Sequence, residues 1–231
     1  MTASDFPADL RDALKNGLSR GLALRHATLD LPSDGDWFLF WSDGTLSGSP
    51  RLPAAFLRHF EARDSSSTIV RPSIALDGSW LILTSNGGLF RSSDFPDDVY
   101  EALNRAGTRS SLTLFEFISD DPLGPLSGCP WISLYSDGHD EVRHDDEGVV
   151  SGAVARANAE GAIRDVLVTP SGGWMIIGNR TVQLSPDTSP SLRGQVRALE
   201  HDGRVICQAV VGNKGRWALV VQADSAAPCP R

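Results

Sequence analysis

The sequence predicts an α/β repeat protein of five units set in a ring, each unit a β-hairpin or three-stranded blade plus one helix. Three observations carry this prediction. Trp37, Trp80, Trp131, Trp174 and Trp217 fall 43, 51, 43 and 43 residues apart, and a fixed period of that length marks one supersecondary unit copied in tandem. Four of them close the same phrase: Gly35-Asp36-Trp37, Gly78-Ser79-Trp80, Gly172-Gly173-Trp174 and Gly215-Arg216-Trp217. Each Trp is followed by an apolar run, and a helical stretch separates each run from the next unit.

The elements follow in order. Phe6-Pro7-Ala8-Asp9-Leu10-Arg11-Asp12-Ala13-Leu14 keeps apolar residues at i, i+4, i+7 and i+8, the stripe of a helix packed on one side. Asp5 is placed to cap it, Pro7 suits a first turn and Gly17 a C-terminal stop. Phe95-Pro96 through Leu103 is a close copy, with Asp94 as cap and Gly107 as stop. Weaker helical patterns run from Leu52-Pro53 to Ala62, Val149 to Glu160 and Pro190 to Glu200. The strand before each Trp is read at Ala27 to Leu31, Ile69 to Leu76, Leu112 to Ile118, Ile163 to Val168 and Val205 to Val211. The runs after each Trp, such as Phe38-Leu39-Phe40 and Met175-Ile176-Ile177, read as strands buried on both faces. Ser42-Asp43-Gly44, Ser85-Asn86-Gly87 and Ser136-Asp137-Gly138 then predict tight turns and a short returning strand.

The chain opens with a helix and closes with a strand pair, so five helices match five β segments. The unmatched ends predict closure, with the N-terminal helix set beside the C-terminal strands so that neither end leaves an open edge. A linear solenoid is the alternative, but the terminal units are as apolar as the middle ones and carry no polar cap. Residues 1–224 are read as a single domain and 225–231 as a flexible tail.

Composition narrows the function classes. Of 231 residues, 41% are apolar and 22% charged, ordinary for a soluble globular chain. A net charge of −8, with no basic stripe, opposes nucleic-acid binding. No secretory leader or membrane span is read, so no membrane partner is expected. Cys129, Cys207 and Cys229 are odd in number and scattered, which predicts a reducing cytoplasm and buried thiols rather than a disulfide framework or a zinc ribbon.

The Gly-x-Trp, apolar strand and Asp-Gly turn, over roughly residues 5 to 224, resemble bacterial β-propeller-like repeat families. The chain departs from WD40 repeats in lacking their Gly-His and Trp-Asp dipeptides, and a helix replaces one strand of each blade. Five-bladed lectins are similar in period but are all-β. The α/β-propeller of the pentein enzymes is similar in helix content, but its Cys/His/acid site is not placed on this sequence. The resemblance implies a propeller-like ring and no particular activity.

Candidate site residues are departures from the repeat, because binding residues gather on loops set on a rigid scaffold. Trp41 stands where the other units have Thr84, Tyr135, Gly178 and Val221. The third unit carries an insertion, Asp120 to Cys129, and then His139-Asp140-Glu141-Val142-Arg143-His144-Asp145-Asp146-Glu147. His139, Asp140, Glu141 and His144, with Trp41 and Tyr135, are the ligand-binding candidates. Imidazoles and carboxylates suit a divalent cation, yet the spacing matches no metal motif, and no metal or cofactor is assigned. The Trp series itself reads as packing between units, with a sugar platform as its functional alternative. The function expected is a binding or scaffolding module that presents one face to a protein or a small ligand. An enzyme with its site at the central axis or the third-unit acidic loop is the alternative, and a lectin-like sugar binder the second.

Overall fold

The computed structural model describes residues 2–3, 6–31, 36–62, 68–74, 78–107, 112–117, 131–135, 137, 139–143, 148–168, 173–179, 181–211 and 217–222. In chain order the elements are β1 (Thr2–Ala3), α1 (Ala8–Ser19), β2 (Leu24–Leu31), β3 (Asp36–Trp41), β4 (Leu46–Gly48) and α2 (Ala54–Glu61). The second unit has β5 (Ile69–Ile74), β6 (Trp80–Thr84), β7 (Leu89–Arg91) and α3 (Asp97–Gly107). The third has β8 (Leu112–Phe117), β9 (Trp131–Tyr135), β10 (Asp140–Arg143) and α4 (Val149–Glu160). The fourth has β11 (Ile163–Val168), β12 (Trp174–Gly178), β13 (Val182–Leu184) and α5 (Pro190–His201), and the chain ends on β14 (Val205–Val211) and β15 (Trp217–Gln222).

These strands make five small antiparallel sheets, with orders β2-β3-β4, β5-β6-β7, β8-β9-β10, β11-β12-β13 and β14-β15-β1. The last sheet takes its third strand from the other end of the chain, with Thr2 opposite Leu219 and Ala3 opposite Ala218. The sequence placed only the N-terminal helix there. Helix α1 does pack against Val210 and Ala218, but a strand paired with β15 completes the sheet as well.

The middle strand of each sheet alternates between two junctions, because successive side chains of a strand point to opposite faces. Trp37, Leu39 and Trp41 share a cluster with α1, while Phe38 and Phe40 share one with α2. Trp80 and Ile82 face α2; Leu81 and Leu83 face α3. The same rule sends Trp131 to α3, Trp174 to α4 and Trp217 to α5. Each junction is thus one helix wedged between two sheets, with a repeat Trp beside it. All five of these indoles are buried, as the packing reading expected.

Helix faces follow from spacing. Phe56 and Phe60 of α2, one turn apart, fill their junction; Val150, Ala153, Val154 and Ala157 of α4 fill theirs with smaller groups. The backbone N–H of three of these Trp residues is clasped by a Ser after the third strand. Trp37 N–H donates to Ser49 Oγ at 3.4 Å, Trp80 N–H to Ser92 Oγ at 3.1 Å and Trp174 N–H to Ser185 Oγ at 2.9 Å.

Several local expectations change. Gly17 does not end α1; it lies inside the helix, where a Cβ would collide with the Trp41 ring, and Gly21 (φ 74°) follows the end instead. The first residue outside α1 is Pro7, with no side-chain cap, and Asp5 lies outside the described residues. Asp94 accepts from Ser93 Oγ rather than capping a helix. Among the helices whose caps are described, α5 has the expected kind, Ser189 accepting from Leu192 N–H. Cys207 is disulfide-bonded, where a buried thiol was expected; Cys129 and Cys229 lie outside the described residues. Among the described residues no helix is long and apolar enough to cross a membrane.

Candidate functional site

The third-unit hairpin is built like the others and decorated differently. Tyr135 N–H donates to His139 O at 2.9 Å, and Asp137 Oδ1 accepts from His139 N–H at 3.0 Å, which closes the turn. Strand β10 returns with Asp140 opposite Leu134 and Glu141 opposite Ser133. Alternation then puts Val142 and Asp140 toward α4, where Asp140 Oδ1 accepts from Asn158 Nδ2 at 3.3 Å. Glu141 falls on the other face, with Ser133 and Tyr135. The His139 ring, exposed to solvent, stacks on Tyr135 with centroids 5.7 Å apart, and Ser133 Oγ donates to the Tyr135 hydroxyl at 3.2 Å. Burial pushes the Tyr135 phenol above its ordinary pKa; the Ser133 bond opposes this, while the charges of Glu141 and Asp137 add to it.

The structure therefore brings Tyr135, His139, Asp140 and Glu141 onto one hairpin, while His144 and the insertion Asp120 to Cys129 lie outside the described residues. Among the described residues no group of three or more His, Cys, Asp or Glu is placed to hold a metal. Trp41 is elsewhere, in the first unit. It is only 1% exposed, lies over Gly17 and donates from Nε1 to Ser47 Oγ at 3.0 Å. Its indole serves as core.

A second polar region lies where the first strands meet. Strand β2 lies against β5, β5 against β8, β8 against β11, β11 against β14, and β14 against β2. Each of these strands carries a bulge near its start, at Arg25, Val70, Thr113, Arg164 and Cys207. The residue after each bulge is His26, Arg71, Leu114, Asp165 or Gln208, and all five are buried.

Arg71 Nη1 donates to Asp165 Oδ1 at 2.9 Å, with the two side chains 8% and 6% exposed. The partners belong to the second and fourth units, whose first strands β5 and β11 both lie against β8 of the third unit. Asp165 Oδ1 also accepts from Val166 N–H at 3.1 Å. Burial raises the Asp165 pKa, while the Arg71 charge and both hydrogen bonds oppose the rise. His26 sits on the Phe38 ring at 5.5 Å, with Nε2 3.2 Å from Thr28 Oγ1. Burial holds its pKa well below 6.5, and the Arg71 charge adds to the effect, so at neutral pH it is uncharged. Gln208 Nε2 donates to Arg25 O at 2.7 Å, tying the fifth unit to the first.

Chemically, this centre can hold charge away from water, and the third-unit hairpin can meet a partner in solvent. The central residues were missed in the sequence because a bulge displaces them from a simple two-residue alternation. The signal was present in Leu24-Arg25-His26, Ile69-Val70-Arg71, Ile163-Arg164-Asp165 and Ile206-Cys207-Gln208, four superposable triplets each ending in a polar residue. No protein-family model, curated protein or solved structure matches the chain.

Proposed function

We propose that the five units close into a propeller-like ring that works as a binding or scaffolding module, with the third-unit hairpin as its working rim. The cycle of neighbouring first strands supports closure, as does the sheet assembled from both ends of the chain. The observation that carries the functional reading is the third strand of the third unit. Strand β10 runs Asp140-Glu141-Val142-Arg143 behind an exposed His139, where the first, second and fourth units have Leu46-Ser47-Gly48, Leu89-Phe90-Arg91 and Val182-Gln183-Leu184. A partly exposed carboxylate pair on a rigid hairpin suits a protein or small ligand that carries positive charge. The net charge of −8 keeps nucleic acid an unsuitable partner.

The test is a thermal-shift screen of cationic metabolites and peptides, with an affinity pull-down, on the wild type and on a His139→Ala, Asp140→Ala, Glu141→Ala, His144→Ala variant. The reading expects a ligand or partner that the variant loses by tenfold or more while its own melting point holds. Equal binding by both proteins sinks it.

An enzyme with its site at the centre of the ring is the second reading. It is favoured by His26, Arg71 and Asp165 converging with shifted titration, a pattern common at active sites. Against it stands the burial of these three side chains, with Arg71 and Asp165 already paired to each other. The lectin reading loses its footing because the repeat indoles are packed into junctions, with no ring face left for a sugar.

A further inference from the structure

We infer that Ser133 is a positioning residue of the third unit: its hydroxyl holds the Tyr135 phenol and so sets the ring that carries His139 at the rim. The inference rests on reading the third-unit hairpin as the working rim, and it names what orients that rim from inside. Two residues after each repeat Trp, the middle strand puts one side chain into a helix junction. Four units place Leu39, Ile82, Ile176 and Leu219 there, and the third places Ser133. All five are buried, Ser133 at 0% exposure. A hydroxyl in that slot forgoes the apolar burial its counterparts supply, and it is tolerated only with a hydrogen-bond partner.

That partner is a second departure from the repeat. Tyr135 stands where the other units have Trp41, Thr84, Gly178 and Val221, and its hydroxyl accepts from Ser133 Oγ at 3.2 Å. The two side chains are two residues apart and so leave the same face of β9. A third departure lies opposite Ser133 on β10. Glu141 is charged at a register position that the other sheets fill with Ser47, Phe90, Gln183 and Thr2. Three breaks in the repeat rule therefore share one face of one hairpin, at a cost in apolar burial. Such a concentration marks a place kept for function rather than for packing. The contacts then run outward. Tyr135 is 4% exposed, held along its body by the junction and at its tip by Ser133. The exposed His139 ring stacks on it at 5.7 Å with 26° between the planes. The His139 backbone is already fixed by Tyr135 N–H and Asp137 Oδ1, so what the phenol ring sets is the imidazole rotamer.

Proton NMR of the His139 imidazole, on the full chain without ligand, tests this; His139→Ala assigns the resonance. In the wild type the Tyr135 ring current should displace that resonance from the free-imidazole position. Ser133→Ala and Tyr135→Phe should each cut the displacement about twofold or more, and the double variant should cut it no further, as for two residues acting through one bond. Ser133→Thr keeps the hydroxyl and should restore the wild-type shift. Ser133→Ile supplies the residue of the second and fourth units. It should hold or raise the melting temperature while losing the displacement, a split that a merely structural Ser would not give. Should Ser133→Ile fail to fold, Ser133→Ala with Tyr135→Phe carries the test. A resonance left in place by both single variants overturns the inference, as does a Ser133→Ile protein that melts lower with the resonance unmoved. No ligand enters the measurement, so its failure leaves the binding test of the rim standing, and a failed binding test leaves the Ser133 result standing.

Discussion

The helix junctions and the centre where the first strands meet are both buried, and they are built from opposite materials. The junction at α2 is almost all aromatic and aliphatic, with Phe38, Phe40, Phe56, Phe60, Trp80 and Ile82 in one cluster. The centre holds His26, Arg71, Asp165 and Gln208. Apolar burial needs no direction, so a junction tolerates any set of shapes that fills it, and α4 fills its own with Ala and Val. A buried charge needs a named partner at hydrogen-bond distance, so the centre is specific where the junctions are generic. The contrast suggests that stability is spread over five copies of one junction, while conformational specificity is concentrated at one pair.

Phe56→Ala should break the junction side of the comparison. Phe56 is fully buried and meets Phe38, Phe60 and Trp80 at centroid distances of 5.9, 6.0 and 5.9 Å. The loss expected in urea unfolding is about 4 kcal/mol, as for large-to-small changes in a dense core. A loss below about 1 kcal/mol would mean the aromatic cluster is loosely packed.

Arg71→Met strands a carboxylate inside the protein while keeping most of the side-chain volume. The expected cost is about 3 kcal/mol at neutral pH, because an unpaired buried charge is penalised more than its pair was worth. The same urea titration measures it. Little change would indicate that Asp165 finds another donor.

His26 sharpens the comparison through pH. Its folded pKa lies below 6.5, so the unfolded chain takes the proton first, and stability falls as pH drops from 6.5 toward the folded value. The slope from this residue is at most about 1.4 kcal/mol per pH unit. Asp165 acts in the other direction. Its folded pKa is raised above 3.8, so the cost of its buried charge, present at neutral pH, is relieved as pH falls through the raised value. His26→Gln should therefore flatten the acid limb of the stability curve. Superimposable curves would show that His26 does not titrate with folding.

His139→Ala is the smallest effect on stability, within about 0.5 kcal/mol, because the ring is exposed and only stacks on Tyr135. A larger loss in thermal unfolding would make that hairpin structural and weaken its standing as a free binding surface.

Much of the architecture was readable from the chain. The helix expected at Val149 to Glu160 and the strands at Ile163 to Val168 and Val205 to Val211 lie where the pattern placed them. They were readable because their apolar spacing is local and repeated. Trp41 and Gly17 were misjudged for the converse reason: each looks irregular alone, and their meeting across two elements explains both. The third-unit candidates were found as departures from a rule, and the structure places Tyr135, His139, Asp140 and Glu141 together because a hairpin makes neighbours of residues close in sequence.

By itself the sequence determined the unit, its period and the apolar faces of its helices and strands, since these rest on interactions within some forty residues. Only the tertiary structure decided that β1 completes the last sheet and that Arg71 meets Asp165, 94 positions away. Local spacing carries no record of such contacts. They exist because five bulged strands converge, and a buried charge must take whichever partner that convergence brings within reach.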